Sequence, residues 1–99
     1  FLFAVNEAGH IHALDANNGS EIWRNTSLEG RGITSPAFAD GNLVFGDFEG
    51  YLHLINARSG EIVGRQRVDR SGISVRPINE GRRIHVLADD GSLETLDIQ

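Results

Sequence analysis

Three observations predict an all-β fold, a β-propeller fragment of about two and a half four-stranded antiparallel blades. The first is an internal repeat. Gly9, Gly50 and Gly91 stand 41 residues apart, and Leu2/Leu43/Ile84, Ile11/Leu52/Leu93 and Leu14/Ile55/Leu96 keep that spacing. A period of roughly 40–45 residues, each copy holding four short strands, is what stacked propeller blades require. The second is turn chemistry. Short apolar runs are separated by polar turns containing Gly, of which Asp40-Gly41-Asn42 is the strongest hairpin signal. The third is that no stretch carries a 3.6-residue apolar stripe, so no helix is expected.

The elements follow in order. Phe1–Val5 is an apolar run read as a strand, and Glu7-Ala8-Gly9 turns it back. His10–Asp15 returns, and Ala16–Gly19 is a polar turn closed by Gly. Glu21–Ser27 is a third strand with Ile22 and Trp23 as its apolar content, followed by a loop, Leu28–Thr34. Ser35–Ala39 is a short strand opened by Pro36, because Pro donates no ladder hydrogen bond and sits at a strand's start or edge. Leu43–Asp47 and Tyr51–Asn56 form the next hairpin, Glu61–Val68 extends it, and Asp69–Ile73 is a loop. Ser74–Ile78 is expected to repeat the Pro-marked strand, before a last hairpin of Ile84–Ala88 and Ser92–Ile98.

Residues 35–73 are thus expected to hold one complete blade. Residues 1–34 supply the last three strands of a preceding, partial blade, and 74–99 the first three of a partial final blade. Closed propellers often complete their last blade with a strand from the other chain end, which places Gln99 near the natural end of a longer parent. Phe1-Leu2-Phe3 starts in mid-strand and points the same way. Tyr51, Leu52, Leu54 and Ile55 demand cover on both faces of one strand, which stacked blades provide. A partial ring leaves strand edges open, so the isolated fragment is expected to self-associate.

Composition narrows the function. The 99 residues carry a net charge of −5, which argues against general nucleic-acid binding. No apolar run approaches the roughly 20 residues of a membrane-spanning helix. Without cysteine there is no disulfide framework and no thiolate metal site.

Candidate sites have plain structural readings. His10 and His12 could begin a metal site, but His12, His53 and Glu94 occupy one repeat position, which favours packing or a solvated rim; His85 has no partner in sequence. Asp89-Asp90-Gly91-Ser92 falls on the repeat's turn and is too short for a calcium loop. Ser35, Ser71 and Ser74 lack a nucleophile setting, and Gly30-Arg31-Gly32 is no phosphate cradle. Asn25-Thr26-Ser27 is formally a glycosylation sequon. Hence no catalytic, cofactor-binding or metal residue is assigned. Arg65, Arg67, Arg70, Arg76, Arg82 and Arg83 form a basic run in an acidic chain, either a patch for an acidic partner or solvated strand ends.

One motif carries a resemblance. Ala13-Leu14-Asp15-Ala16-Asn17-Asn18-Gly19-Ser20-Glu21-Ile22-Trp23 resembles the pyrroloquinoline-quinone-type propeller repeat Ala-x-Asp-x-x-Thr-Gly-x-x-x-Trp, with Asn18 in place of Thr. Asp15, Gly19 and Trp23 are its structural positions; Asn56 and Gly60 mark a degenerate second copy with Gly64 where Trp is expected. The stretch from Gly41 to Asn56, with Val68-Asp69-Arg70-Ser71-Gly72, is similar to the C-terminal blades of the BamB family of outer-membrane assembly lipoproteins. The resemblance implies an eight-bladed, non-catalytic scaffold on the periplasmic face of the outer membrane, lipid-anchored at a site outside this chain. Its implied partners are the POTRA domains of BamA and unfolded outer-membrane proteins, with no cofactor. The alternative is a piece of a quinoprotein dehydrogenase that binds pyrroloquinoline quinone and calcium; the missing cysteines and metal-ligand cluster weigh against it.

Overall fold

The computed structural model describes residues 1–97. Ile98, the last residue of the final predicted strand, and Gln99 lie outside the described residues. Ten strands follow in order: β1 (Leu2–Val5), β2 (Ile11–Leu14), β3 (Glu21–Asn25), β4 (Ala37–Ala39), β5 (Asn42–Gly46), β6 (Tyr51–Asn56), β7 (Ile62–Arg67), β8 (Ile78–Glu80), β9 (Arg83–Leu87) and β10 (Leu93–Asp97). The described residues contain no helix. The strands form three antiparallel sheets: β1-β2-β3, β4-β5-β6-β7 and β8-β9-β10. Within each sheet neighbours in sequence are neighbours in space, the up-and-down meander of a propeller blade.

The repeat is visible in backbone detail. Bulges fall between Ala13 and Leu14 and again between Leu54 and Ile55, the same repeat position in two sheets. The turns before β2, β6 and β10 close alike, with Gly9, Gly50 and Gly91 donating to the carbonyls of Asn6, Asp47 and Ala88. The β4–β5 hairpin turns on Asp40 and Gly41, with φ of 50° and 77°. That is the left-handed pair a two-residue hairpin loop needs, and it begins β5 one residue earlier than the apolar run suggests.

Two apolar layers join the sheets. Ile11 and Leu28 meet Leu43, Phe45, Ile55 and Ala57 between the first and middle sheets, with Phe3 and Trp23 packed against them. Ala37, Val44, Leu52 and Ile73 meet Ile84 and Val86 between the middle and third sheets. Residues 52 and 55 therefore serve opposite layers, which explains the continuous apolar run of β6. Each buried Leu, Ile, Val or Phe among them contributes about 1.5–3 kcal/mol by leaving water.

The strand expected at Ser74–Ile78 is displaced: the ladder begins only at Ile78 and runs to Glu80. Likewise β4 starts at Ala37 rather than Ser35. Pro36 and Pro77 have no N–H to contribute, so each precedes its strand instead of opening it. The third strand stops at Asn25 rather than Ser27. The Asn25 side-chain oxygen accepts from both the N–H and the hydroxyl of Ser27, at 2.8 and 2.6 Å, and bends the chain out of the ladder.

Candidate functional site

The repeat motif builds the joint between the first two sheets. Asp15 Oδ1 accepts from Asn17 N–H at 2.7 Å, and Asn56 Oδ1 accepts from Arg58 and Ser59 N–H groups in the equivalent turn. Gly19 and Gly60 close these turns at φ of 75° and 76°. Trp23 on β3 reaches across to the second turn, where its Nε1–H donates to the Ala57 carbonyl at 2.9 Å. Its ring lies so close to Gly60 that an added Cβ would stand 2.5 Å from ring carbons. Asn25 Nδ2 adds a bond to the Gly60 carbonyl at 2.7 Å.

A second centre lies at the turn before β6. Asp47 is fully buried. Its Oδ1 accepts from the N–H groups of Glu49 and Tyr51, both at 2.9 Å, which fixes the turn. Its Oδ2 accepts from His53 Nε2 at 2.7 Å and Arg31 Nε at 2.9 Å. Burial alone would push the Asp47 carboxyl up; the bonds from His53, Tyr51, Arg31 and Glu49 outweigh it and hold the group below the usual carboxylate range. His53 is also buried, and its Nδ1 has no hydrogen-bond partner among the described residues. Asn6 takes the Asp47 position in the first sheet and keeps only the turn-fixing bonds, to Ala8 and His10 N–H.

Above this centre lies a basic rim. Tyr51 is half-buried, and the guanidinium carbons of Arg31, Arg65 and Arg67 stand 5.5, 5.2 and 5.4 Å from its ring centre. Register puts Arg67 opposite Tyr51 and Arg65 opposite His53, so all four share one face of the middle sheet. Arg31 also pairs with Glu49 at 3.6 Å. The basic run read from the sequence is thus divided. Arg65 and Arg67 gather at Tyr51, whereas Arg83 pairs with Asp97 on β10 and Arg76 lines a shallow groove beside Phe38 and Pro77. Arg31 was not legible as a member, since a loop brings it from 34 residues upstream of Arg65.

The remaining candidates are placed apart. His10 Nε2 pairs with Glu29 at 3.1 Å and His12 Nδ1 with Glu21 at 2.8 Å, so the two imidazoles serve separate carboxylates. Hydrogen bonding to His12 chiefly holds the Glu21 carboxyl below its usual range. His85 bridges Thr95 and Glu80. Asp89 accepts from the Ser74 hydroxyl at 2.6 Å, while Asp90 caps its own turn through Ser92 N–H at 2.8 Å. Ser71 joins that turn by accepting from Asp90 N–H at 3.0 Å. No group of three or more His, Asp or Glu side chains converges for a metal among the described residues.

The family model described as "Outer membrane protein assembly factor BamB" matches residues 7–99. The chain belongs to the BamB family. It is 42% identical over 97 residues to the outer membrane protein assembly factor BamB of Shewanella oneidensis, covering 98% of this chain and 25% of that protein. It is 36% identical over 95 residues to BamB of Escherichia coli, covering 96% of this chain and 24% of that protein. The chain thus spans about a quarter of the length of the curated relatives it matches. Among solved structures, BamB from Moraxella catarrhalis superposes with a TM-score of 0.87 at 22% identity, over 97% of this chain and 28% of that one. A europium-containing methanol dehydrogenase superposes at 0.73 with 15% identity, over 98% of this chain and 20% of that one, a likeness of fold alone. The three stacked antiparallel sheets are blades of the BamB propeller.

Proposed function

We propose that the chain supplies three successive blades to a non-catalytic scaffold of outer-membrane β-barrel assembly. In this reading the whole protein sits at the periplasmic face of the outer membrane, tethered by a lipid anchor outside these residues. It docks on the POTRA domains of BamA and assists insertion of outer-membrane proteins. The observation that carries the reading is the BamB family match over residues 7–99. The residues agree with it. The Asp47 carboxylate is fully engaged by His53, Arg31 and two turn N–H groups, and the half of the site that reaches solvent is cationic and aromatic, a surface suited to contact. The dehydrogenase reading has only distant likeness of fold behind it.

The test is a strain lacking the full-length protein. Its outer membrane is expected to hold less folded β-barrel protein, restored by the wild-type gene. An unchanged outer-membrane profile would contradict the assembly role.

A further inference from the structure

We propose that Arg65, Arg67, Arg31 and Tyr51 form a docking site for an extended, carboxylate-rich segment of a protein partner. This goes beyond the assembly reading and rests on the residues of this rim alone. The starting point is a difference between two copies of the repeat. In the first sheet Arg24 pairs with Glu21 at 3.4 Å. In the middle sheet the equivalent arginine is Arg65, but the position of Glu21 is taken by Ile62. Thr26 is likewise replaced by Arg67, and His10 by Tyr51. On the strand face shared with Tyr51, β7 has therefore lost a carboxylate and gained a cation, while the acids gained at the turn, Asp47 for Asn6 and Glu49 for Ala8, are taken up by Arg31.

The local acids do not compensate. Asp47 and Glu49 both engage Arg31, and no ion pair engages Arg65 or Arg67 among the described residues. Arg67 does donate from Nε to the Glu49 carbonyl at 3.1 Å, which orients its fork without neutralising it. Arg65 and Arg67, the two guanidiniums at the Tyr51 ring without a carboxylate partner, repel one another until an anion lies between them. That they meet in a chain of net charge −5 makes the rim a local exception to the protein's own field.

All nine Lys and Arg positions of the chain are arginine, whose planar fork suits bidentate pairing with carboxylate and phosphate alike. Two features favour a peptide over a membrane surface. Arg65 and Arg67 occupy alternate positions of one strand, roughly 6.6–7 Å apart, which matches alternate side chains of an extended segment. And β7 is an edge strand of its sheet, so its outward N–H and C=O groups can add a ladder that no lipid headgroup can use.

The experiment uses the full-length protein and a fluorescein-labelled peptide alternating Glu with Val and Thr, followed by anisotropy at low salt. The Arg65→Gln/Arg67→Gln variant is expected to bind about tenfold more weakly, with an unchanged melt, because both side chains are exposed. The same peptide with Gln for Glu is expected not to bind. Equal binding by wild type and variant, or no binding of the Glu peptide by wild type, overturns the proposal. So does arginine-dependent binding to phosphatidylglycerol vesicles without peptide binding. Complex formation with BamA periplasmic domains is read in parallel. If that complex fails while the peptide still binds, the assembly reading falls and this site stands; the converse removes this site alone.

Discussion

At the scale of single residues, Asp47 organises the most. It satisfies two backbone donors, a histidine and an arginine from a position without solvent contact. Removing it strands His53 Nε2 and two backbone donors and leaves Arg31 with Glu49 alone, so Asp47→Ala is expected to destabilise the protein by roughly 3 kcal/mol, measured as a shift of the urea midpoint. Its pH signature has a definite sign. The folded pKa lies below the unfolded value of about 3.9, so the stabilisation is complete above that value and is lost as pH falls toward the folded one. Asp47→Asn is expected to be less stable at neutral pH and to lose less on acidification than the wild type. Parallel acid profiles for the two proteins would contradict this. Linear spacing does not flag the centre, because Arg31 and His53 are 16 and 6 residues away and meet Asp47 only through the fold. Aligning the repeat gives one hint: Asn6 and Asp47 fall on the same turn position.

At the scale of elements, the joint between β3 and the turn after β6 tests the packing account. Gly19 and Gly60 have nearly the same φ, but a Cβ at Gly19 meets nothing within 4 Å, whereas one at Gly60 meets the Trp23 ring at 2.5 Å. Gly19→Ala therefore reports backbone strain alone, about 1–2 kcal/mol. Gly60→Ala adds displacement of the ring and is expected to cost a further 1–3 kcal/mol or so. Thermal melts of the two variants compare them directly, and equal losses would mean that Trp23 does not hold this joint. The hairpins, their turns and the repeat were legible because glycine spacing and short apolar runs encode them locally. The ladder limits around Pro36 and Pro77 were less so, since the strand's first bond depends on which N–H its neighbour can reach. The division of the arginines was not legible at all, because linear proximity says nothing about which strand face each side chain takes.

At the scale of the molecule, the sheets cover each other's apolar faces. The middle sheet buries both faces, one through Leu43, Phe45 and Ile55 and the other through Val44 and Leu52. The outer two leave Phe1, Leu2, Leu87 and Leu93 exposed, as blades do at the ends of a stack. A wide apolar groove of about 620 Å³, lined by Phe1, Phe3, Phe38, Ala57 and Arg58, opens between the first and middle sheets. In the proposed role, the stacked sheets present loops and strand edges, and specificity lies in surface charge and shape. Native mass spectrometry of the full-length protein mixed with the POTRA domains of BamA tests that claim most directly. A stoichiometric complex is expected, with no mass shift on adding pyrroloquinoline quinone with calcium. A protein that takes up the quinone and forms no complex with the POTRA domains would contradict it.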